Sequence, residues 1–109
     1  MWLFTKFGFY SVVQKPGEDC LTVRARVRED LDRLRENGLL VLGEILDHVG
    51  TDYPFRARVS REAFGEALKD ISLNLNYSNF KNAVNRELGM SRANVCHNVW
   101  VVLMELENG

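Results

Sequence analysis

Two short stretches of this chain are rich in arginine and free of acids. Residues 20–28 contain Arg24, Arg26 and Arg28, and residues 53–61 contain Arg56, Arg58 and Arg61. Alternate side chains of an extended chain point to opposite faces. Thr22, Arg24 and Arg26 would therefore share one face of a strand, and Arg56 and Arg58 one face of another. A guanidinium is a planar, permanently charged fork that matches carboxylate and phosphate. Such a face could bind an acidic protein surface. With aromatics beside it, it could instead stack and grip single-stranded nucleic acid. Tyr53, next to the second stretch, and the segment holding Tyr77, Asn79 and Lys81 add candidate contacts.

A plainer role competes with both. Residues 29–52 hold seven acids (Glu29, Asp30, Asp32, Glu36, Glu44, Asp47, Asp52) against two bases, Arg33 and Arg35. Those carboxylates can neutralise the arginines within one chain or across a dimer. A charge-bearing strand also keeps a sheet face solvated. The asparagines Asn74, Asn76, Asn79 and Asn82 suit turns and helix caps.

Residues for catalysis are sparse. His48 and His97 are the only histidines, and Cys20 and Cys96 the only cysteines. His97 adjoins Cys96, but neighbours on a helix point about 100° apart, which makes a poor metal pair. CxxC and HExxH spacings are absent, as is a glycine-rich phosphate loop. The expectation is a non-enzymatic protein with no cofactor and no metal.

The elements that would position these residues follow from periodicity. Residues 2–14 are dense in aromatic and β-branched side chains, which is strand composition. Their alternation places Trp2, Phe4, Lys6 and Tyr10 on one face and Phe7 and Phe9 on the other, with Gly8 marking a bulge or close approach. Lys15-Pro16-Gly17-Glu18-Asp19 reads as a turn. Residues 20–27 form a second strand, with Leu21, Val23, Ala25 and Val27 pointing inward. A helix follows, with Glu29 and Arg33 as an i,i+4 pair, and ends at Asn37-Gly38. Residues 39–50 fit a helix or a buried strand; strand is preferred, because Gly50-Thr51-Asp52 suits a turn.

Residues 53–59 make the next strand, with Phe55, Ala57 and Val59 inward. Ser60 caps a helix over residues 61–73. A helix from Phe80 closes at Gly89. Ser91 caps a last helix reaching Leu106, with Val95, Val99, Val102, Leu103 and Leu106 on its buried face. That helix is apolar nearly all round from Val99 to Met104, which points to burial on two sides and hence a dimer contact.

The order predicts an α+β two-layer sandwich over residues 1–109: an antiparallel sheet of three or four strands with helices on one face. With a strand in residues 41–49, it is a circular permutation of the ferredoxin-like order, the first strand taking the place of the usual last one.

Composition agrees with a globular chain. Hydrophobic residues make up 46% and charged residues 27%, and 14 bases against 15 acids leave a net charge of −1. That balance argues against a basic nucleic-acid arm and an acidic tail. No apolar run approaches the ~20 residues that span a bilayer. Free thiols suit a reducing compartment.

Residues 1–5 (MWLFT), 21–28 (LTVRARVR), 51–57 (TDYPFRA), 77–81 (YSNFK) and Val99-Trp100 resemble a family of small uncharacterised bacterial proteins, across most of the chain. The resemblance implies a compact, stand-alone cytoplasmic protein and transfers no catalytic residues. The function expected is binding or regulation through protein–protein contact, with a second copy as one candidate partner. Nucleic-acid binding by the arginine face is the alternative, and size alone also fits a short inhibitor from a mobile element.

Overall fold

A computed structural model describes residues 1–47 and 52–109. It contains strands β1 (Trp2–Thr5), β2 (Gly8–Val13), β3 (Leu21–Ala25), β4 (Leu46–Asp47) and β5 (Phe55–Val59), and helices α1 (Arg28–Glu36), α2 (Arg61–Leu73), α3 (Phe80–Leu88) and α4 (Met90–Leu103). A 3-10 helix, Met104–Asn108, follows α4. The chain divides into two compact units, Met1–Leu75 and Asn76–Gly109.

The first unit is an α+β sandwich. Its five strands lie in the order β1-β2-β3-β5-β4, with every neighbouring pair antiparallel. β3 and β4 both oppose β5, so they run parallel to each other and are joined through α1. In β2-β3-β5-β4 the first strand occupies the place of the last one in a ferredoxin-like sheet, and β1 extends that edge. α1 and α2 serve one face: Leu31, Leu34, Phe64 and Ala67 share a core with Tyr10, Val12, Val23, Ala25, Ala57 and Val59. Ser60 caps α2 as expected, its Oγ accepting from the Ala63 N–H at 3.1 Å.

Three expectations for this unit are corrected. Residues 2–14 are a hairpin, not one strand. Thr5 Oγ1 accepts from the Phe7 and Gly8 N–H groups at 3.0 and 3.2 Å, and this side-chain turn reverses the chain at Lys6-Phe7. The reversal resets the alternation. Trp2 opposes Ser11 and Phe4 opposes Phe9, while Leu3 opposes Tyr10. Phe9 thus joins Trp2 and Phe4, and Tyr10 goes to the core.

The second correction concerns residues 39–47, which are mostly loop. Leu39, Leu42 and Ile45 are buried without being in a strand. Arg35 donates to the Leu42 and Gly43 carbonyls, and the Gly43 N–H donates to the Arg58 carbonyl at 2.8 Å. These bonds tie the loop to α1 and to β5. His48 and most of the expected turn at Gly50-Thr51-Asp52 lie outside the described residues.

The third correction is the ion pair of α1. Arg33 pairs with Asp30, not with Glu29. Asp30 is 2% exposed and also accepts from the Phe9 N–H at 3.0 Å. Arg33 Nε donates to the Phe7 carbonyl at 2.7 Å, and the Tyr10 hydroxyl to the Asp30 carbonyl at 2.7 Å. The β1–β2 turn is therefore bound to α1. A Cβ on Gly8 would strike the Asp30 carboxyl, so glycine there serves a close approach.

The second unit is helical. α3 and α4 meet at Gly89 and pack on each other. Gly89 takes φ 96°, a left-handed conformation that lets one residue end α3 and start α4. Ser91 thus lies inside α4 rather than capping it. The helix is also not buried as expected: Val95, Val102, Leu103 and Leu106 are exposed, and Ala93 is its buried residue.

Candidate binding surfaces

The strand register collects the predicted arginines on the sheet face opposite the core. Arg24 stands directly across from Arg56, and Thr22 from Arg58. Their neighbours on β2 are Ser11 across from Arg24 and Val13 across from Thr22. The guanidiniums are nevertheless largely engaged within the chain. Arg24 donates to Ser11 Oγ at 2.7 Å, and its Nε is buried without an acceptor. Arg26 donates to the Asp52 carbonyl at 2.7 Å.

Both guanidiniums lie 4.7 Å from the ring centre of Tyr53, a residue only 6% exposed. Arg56 reaches the Tyr53 carbonyl at 3.3 Å, and Arg58 pairs with Glu18 at 3.0 Å. Tyr53 is thus the base on which two arginines stack. Cation–π contact is worth about 0.5–2 kcal/mol per pair, and burial of the ring adds to it.

Aromatics continue this face toward the β1 edge. Phe9 contacts Tyr53 (6.4 Å between ring centres), Phe4 (4.5 Å) and Trp2 (5.7 Å, edge-on). Trp2, at the end of the row, is exposed. At the β5 side, Lys15, Glu18, Thr22, Arg56 and Arg58 border a cleft of about 260 Å³. Glu18 was missed as a site residue. It sits in the turn after β2, and only the register of the hairpin reveals that this turn reaches Arg58.

The remaining candidates lie in the second unit. Asn79 is the cap of α3: its Oδ1 accepts from the Asn82 N–H at 2.9 Å. Tyr77 contacts Phe80 (6.2 Å) and borders a shallow hollow with Asn76, Asn79, Asn82 and Arg86. Lys81 lies with its Nζ 3.0 Å from His97 Nδ1 and 4.7 Å from the Trp100 ring centre. The His97 ring stacks on Trp100 at 5.6 Å. The cluster uses an ammonium, an imidazole and an indole to fasten α3 to α4.

Cys20 and Cys96 are free thiols. Burial pushes the Cys96 thiol above its ordinary value, and the Arg92 charge pulls it part of the way back. Among the described residues, no group of three or more His, Cys, Asp and Glu is placed to hold a metal ion. Among the same residues, no helix is long and apolar enough to cross a membrane.

α4 and the 3-10 helix present a different surface. Trp100 (53% exposed), Val102 (60%) and Leu106 (75%) lie on it with Val95, Val101, Leu103 and Met104. Single exposed apolar residues are normal, and this many on one short segment make it a candidate interaction surface. The signal legible in the sequence was the lack of a polar side between Val99 and Met104.

The chain matches no protein-family profile, no curated protein and no solved structure.

Proposed function

We propose that this protein is a non-enzymatic binding module that works through protein–protein contact, with α4 as the docking element and a second copy as its occupant. The observation that carries this reading is the exposed apolar run of α4. Val95 and Val102 of this run, with half-buried Val99 between them and Leu106 in the 3-10 helix that follows, are spaced by four, three and four residues, as in the seam of a two-helix coiled coil.

Charge sets the direction. Glu105 and Glu107 lie beyond the end of α4. An antiparallel pair opposes the two helix dipoles and brings the acidic end of each copy to the positive N-terminus of the other's α4. In that register Val95 meets Leu106 of the second copy, and Val99 meets Val102.

The register is tested by cross-linking in a background with Cys20 and Cys96 changed to Ser. Mixing a Val99→Cys protein with a Val102→Cys protein should give a mixed disulfide-linked dimer in preference to either like pair. Like pairs in excess would contradict the antiparallel register. No cross-link in any combination would remove a second copy as the occupant.

A second reading, single-stranded nucleic acid on the sheet face, draws on the row from exposed Trp2 through Phe9 to Tyr53 beside Arg24 and Arg26. The internal bonds of those arginines weigh against it. It requires retention of single-stranded RNA or DNA on filters at low salt, with affinity falling steeply as salt rises. No retention at low salt would eliminate it.

A further inference from the structure

We infer that Asn37-Gly38, at the end of α1, is a self-modifying site: in the folded protein the Gly38 backbone nitrogen attacks the Asn37 carboxamide, and the side-chain amide becomes an acid. The reaction needs an unhindered nitrogen after an asparagine and a backbone free to bring it round. Both are present. Asn37 and Gly38 are exposed. Gly38 has no Cβ to crowd its nitrogen, takes φ 145° and has open space where a Cβ would stand.

The chain is pinned on either side of the peptide group that must turn. The Asn37 N–H donates to the Arg33 carbonyl at 2.9 Å, and the Leu39 N–H to the Leu34 carbonyl at 3.1 Å. Between them, the Asn37 carbonyl and the Gly38 N–H make no hydrogen bond among the described residues. Turning this peptide plane, by counter-rotation of Asn37 ψ and Gly38 φ, therefore breaks no backbone bond. The Asn37 side chain is held by its Nδ2, which donates to the Arg33 carbonyl at 2.8 Å. That carbonyl keeps the Asn37 N–H when the carboxamide lets go, so no buried polar group is stranded.

Asn74 supplies the contrast within the molecule. It ends α2 in the same way, its N–H and Nδ2 both donating to the Asp70 carbonyl at 3.0 and 2.8 Å. Its φ of −99° and ψ of 10° are close to the −104° and 20° of Asn37. The next residue is Leu75, which carries a Cβ and whose N–H is bonded to the Ser72 carbonyl at 3.3 Å. The two caps thus differ in the residue that follows.

The atoms balance with water as co-reactant. Base removes the Gly38 amide proton, the nitrogen bonds to Asn37 Cγ, and the Cγ–Nδ2 bond breaks as the leaving nitrogen takes up a proton and departs as ammonia. Water opens the resulting cyclic imide at either carbonyl, giving aspartate or, with the main chain running through Cγ, isoaspartate. Nothing is oxidised or reduced. Both products place a carboxylate at the negative end of α1. Isoaspartate also lengthens the main chain just before Leu39, a core residue 1% exposed. The modification therefore loosens the seat of the loop after α1.

The test is peptide mapping by mass spectrometry of the full folded chain at neutral pH, over the time in which the urea-unfolded chain converts at Asn37. Aspartate and isoaspartate are both expected at position 37, with Asn74 intact. Gly38→Ala should slow the conversion several-fold, with the amides of Leu31 and Leu34 unmoved to show that α1 is intact. Asn37 unconverted in the folded chain, Asn74 converting as fast as Asn37, aspartate without isoaspartate, or an unchanged rate in Gly38→Ala would overturn the proposal.

Discussion

The arginine face of the sheet and the apolar surface of α4 make opposite use of their side chains. On the sheet face the groups with the greatest bonding capacity are largely engaged from within. Arg24 and Arg26 stack on Tyr53, Arg24 bonds Ser11, Arg26 bonds the Asp52 carbonyl, and Arg58 pairs with Glu18. On α4 the side chains that would gain most from burial remain exposed. A surface rich in charge is thus partly structural, and a surface with little charge is where association has most to gain. The hydrophobic effect favours covering α4 by roughly 25 cal/mol per Å² of apolar area removed from water. Exposed ion pairs return about 0–1 kcal/mol each.

The contrast breaks most visibly at Tyr53. Tyr53→Ala should destabilise the fold by about 3–5 kcal/mol, because it empties a buried aromatic site and removes the base under two guanidiniums. Urea denaturation followed by circular dichroism measures this. A loss under about 1 kcal/mol would mean that the stack is incidental. Arg24→Gln is expected to cost about 1–2 kcal/mol in the same assay, since the bond to Ser11 is lost. No loss would return Arg24 to the pool of residues available for a partner.

Val102→Glu sharpens the other side. Placed on an exposed site of α4, it should change the stability of the isolated monomer by no more than about 0.5 kcal/mol while abolishing self-association. Unfolding of the monomer would show that Val102 belongs to the chain's own core.

The smallest effect concerns Cys96. In the native state its thiol ionises above the ordinary 9.0 because burial disfavours the thiolate. Below that pH the thiol is neutral in folded and unfolded chains and contributes no slope. As pH rises past it the unfolded chain ionises first, so the native state holds more protons and stability falls. Thiolate absorbance should therefore appear at higher pH in the folded Cys20→Ser protein than in the same protein in urea. Coincident titrations would contradict the burial of the thiol.

The sheet was legible where alternation was uninterrupted. In residues 21–25 and 55–59 a residue's parity alone assigned its face, and the register agrees. It was not legible at Lys6-Phe7, where Thr5 bonds the following N–H groups and reverses a stretch of uniformly strand-like composition. Nor could it be read in residues 39–47, because burial of Leu39, Leu42 and Ile45 is compatible with helix, strand or a loop held by Arg35. The arginine face was read correctly as a face. Besides Ser11 and the Asp52 carbonyl, its internal commitments involve Tyr53 and Glu18, two residues outside any strand. For α4 the periodicity indicated an apolar helix, but burial is a property of what packs on it, and four of the five positions expected to be buried are exposed.

Sedimentation velocity over a concentration series, on the unmodified chain and on Val102→Glu, tests the central claim directly. The unmodified chain should move from monomer to dimer as concentration rises, and Val102→Glu should remain monomeric throughout. A monomer at every concentration for the unmodified chain, or a dimer unaffected by Val102→Glu, would contradict α4 as the self-association surface.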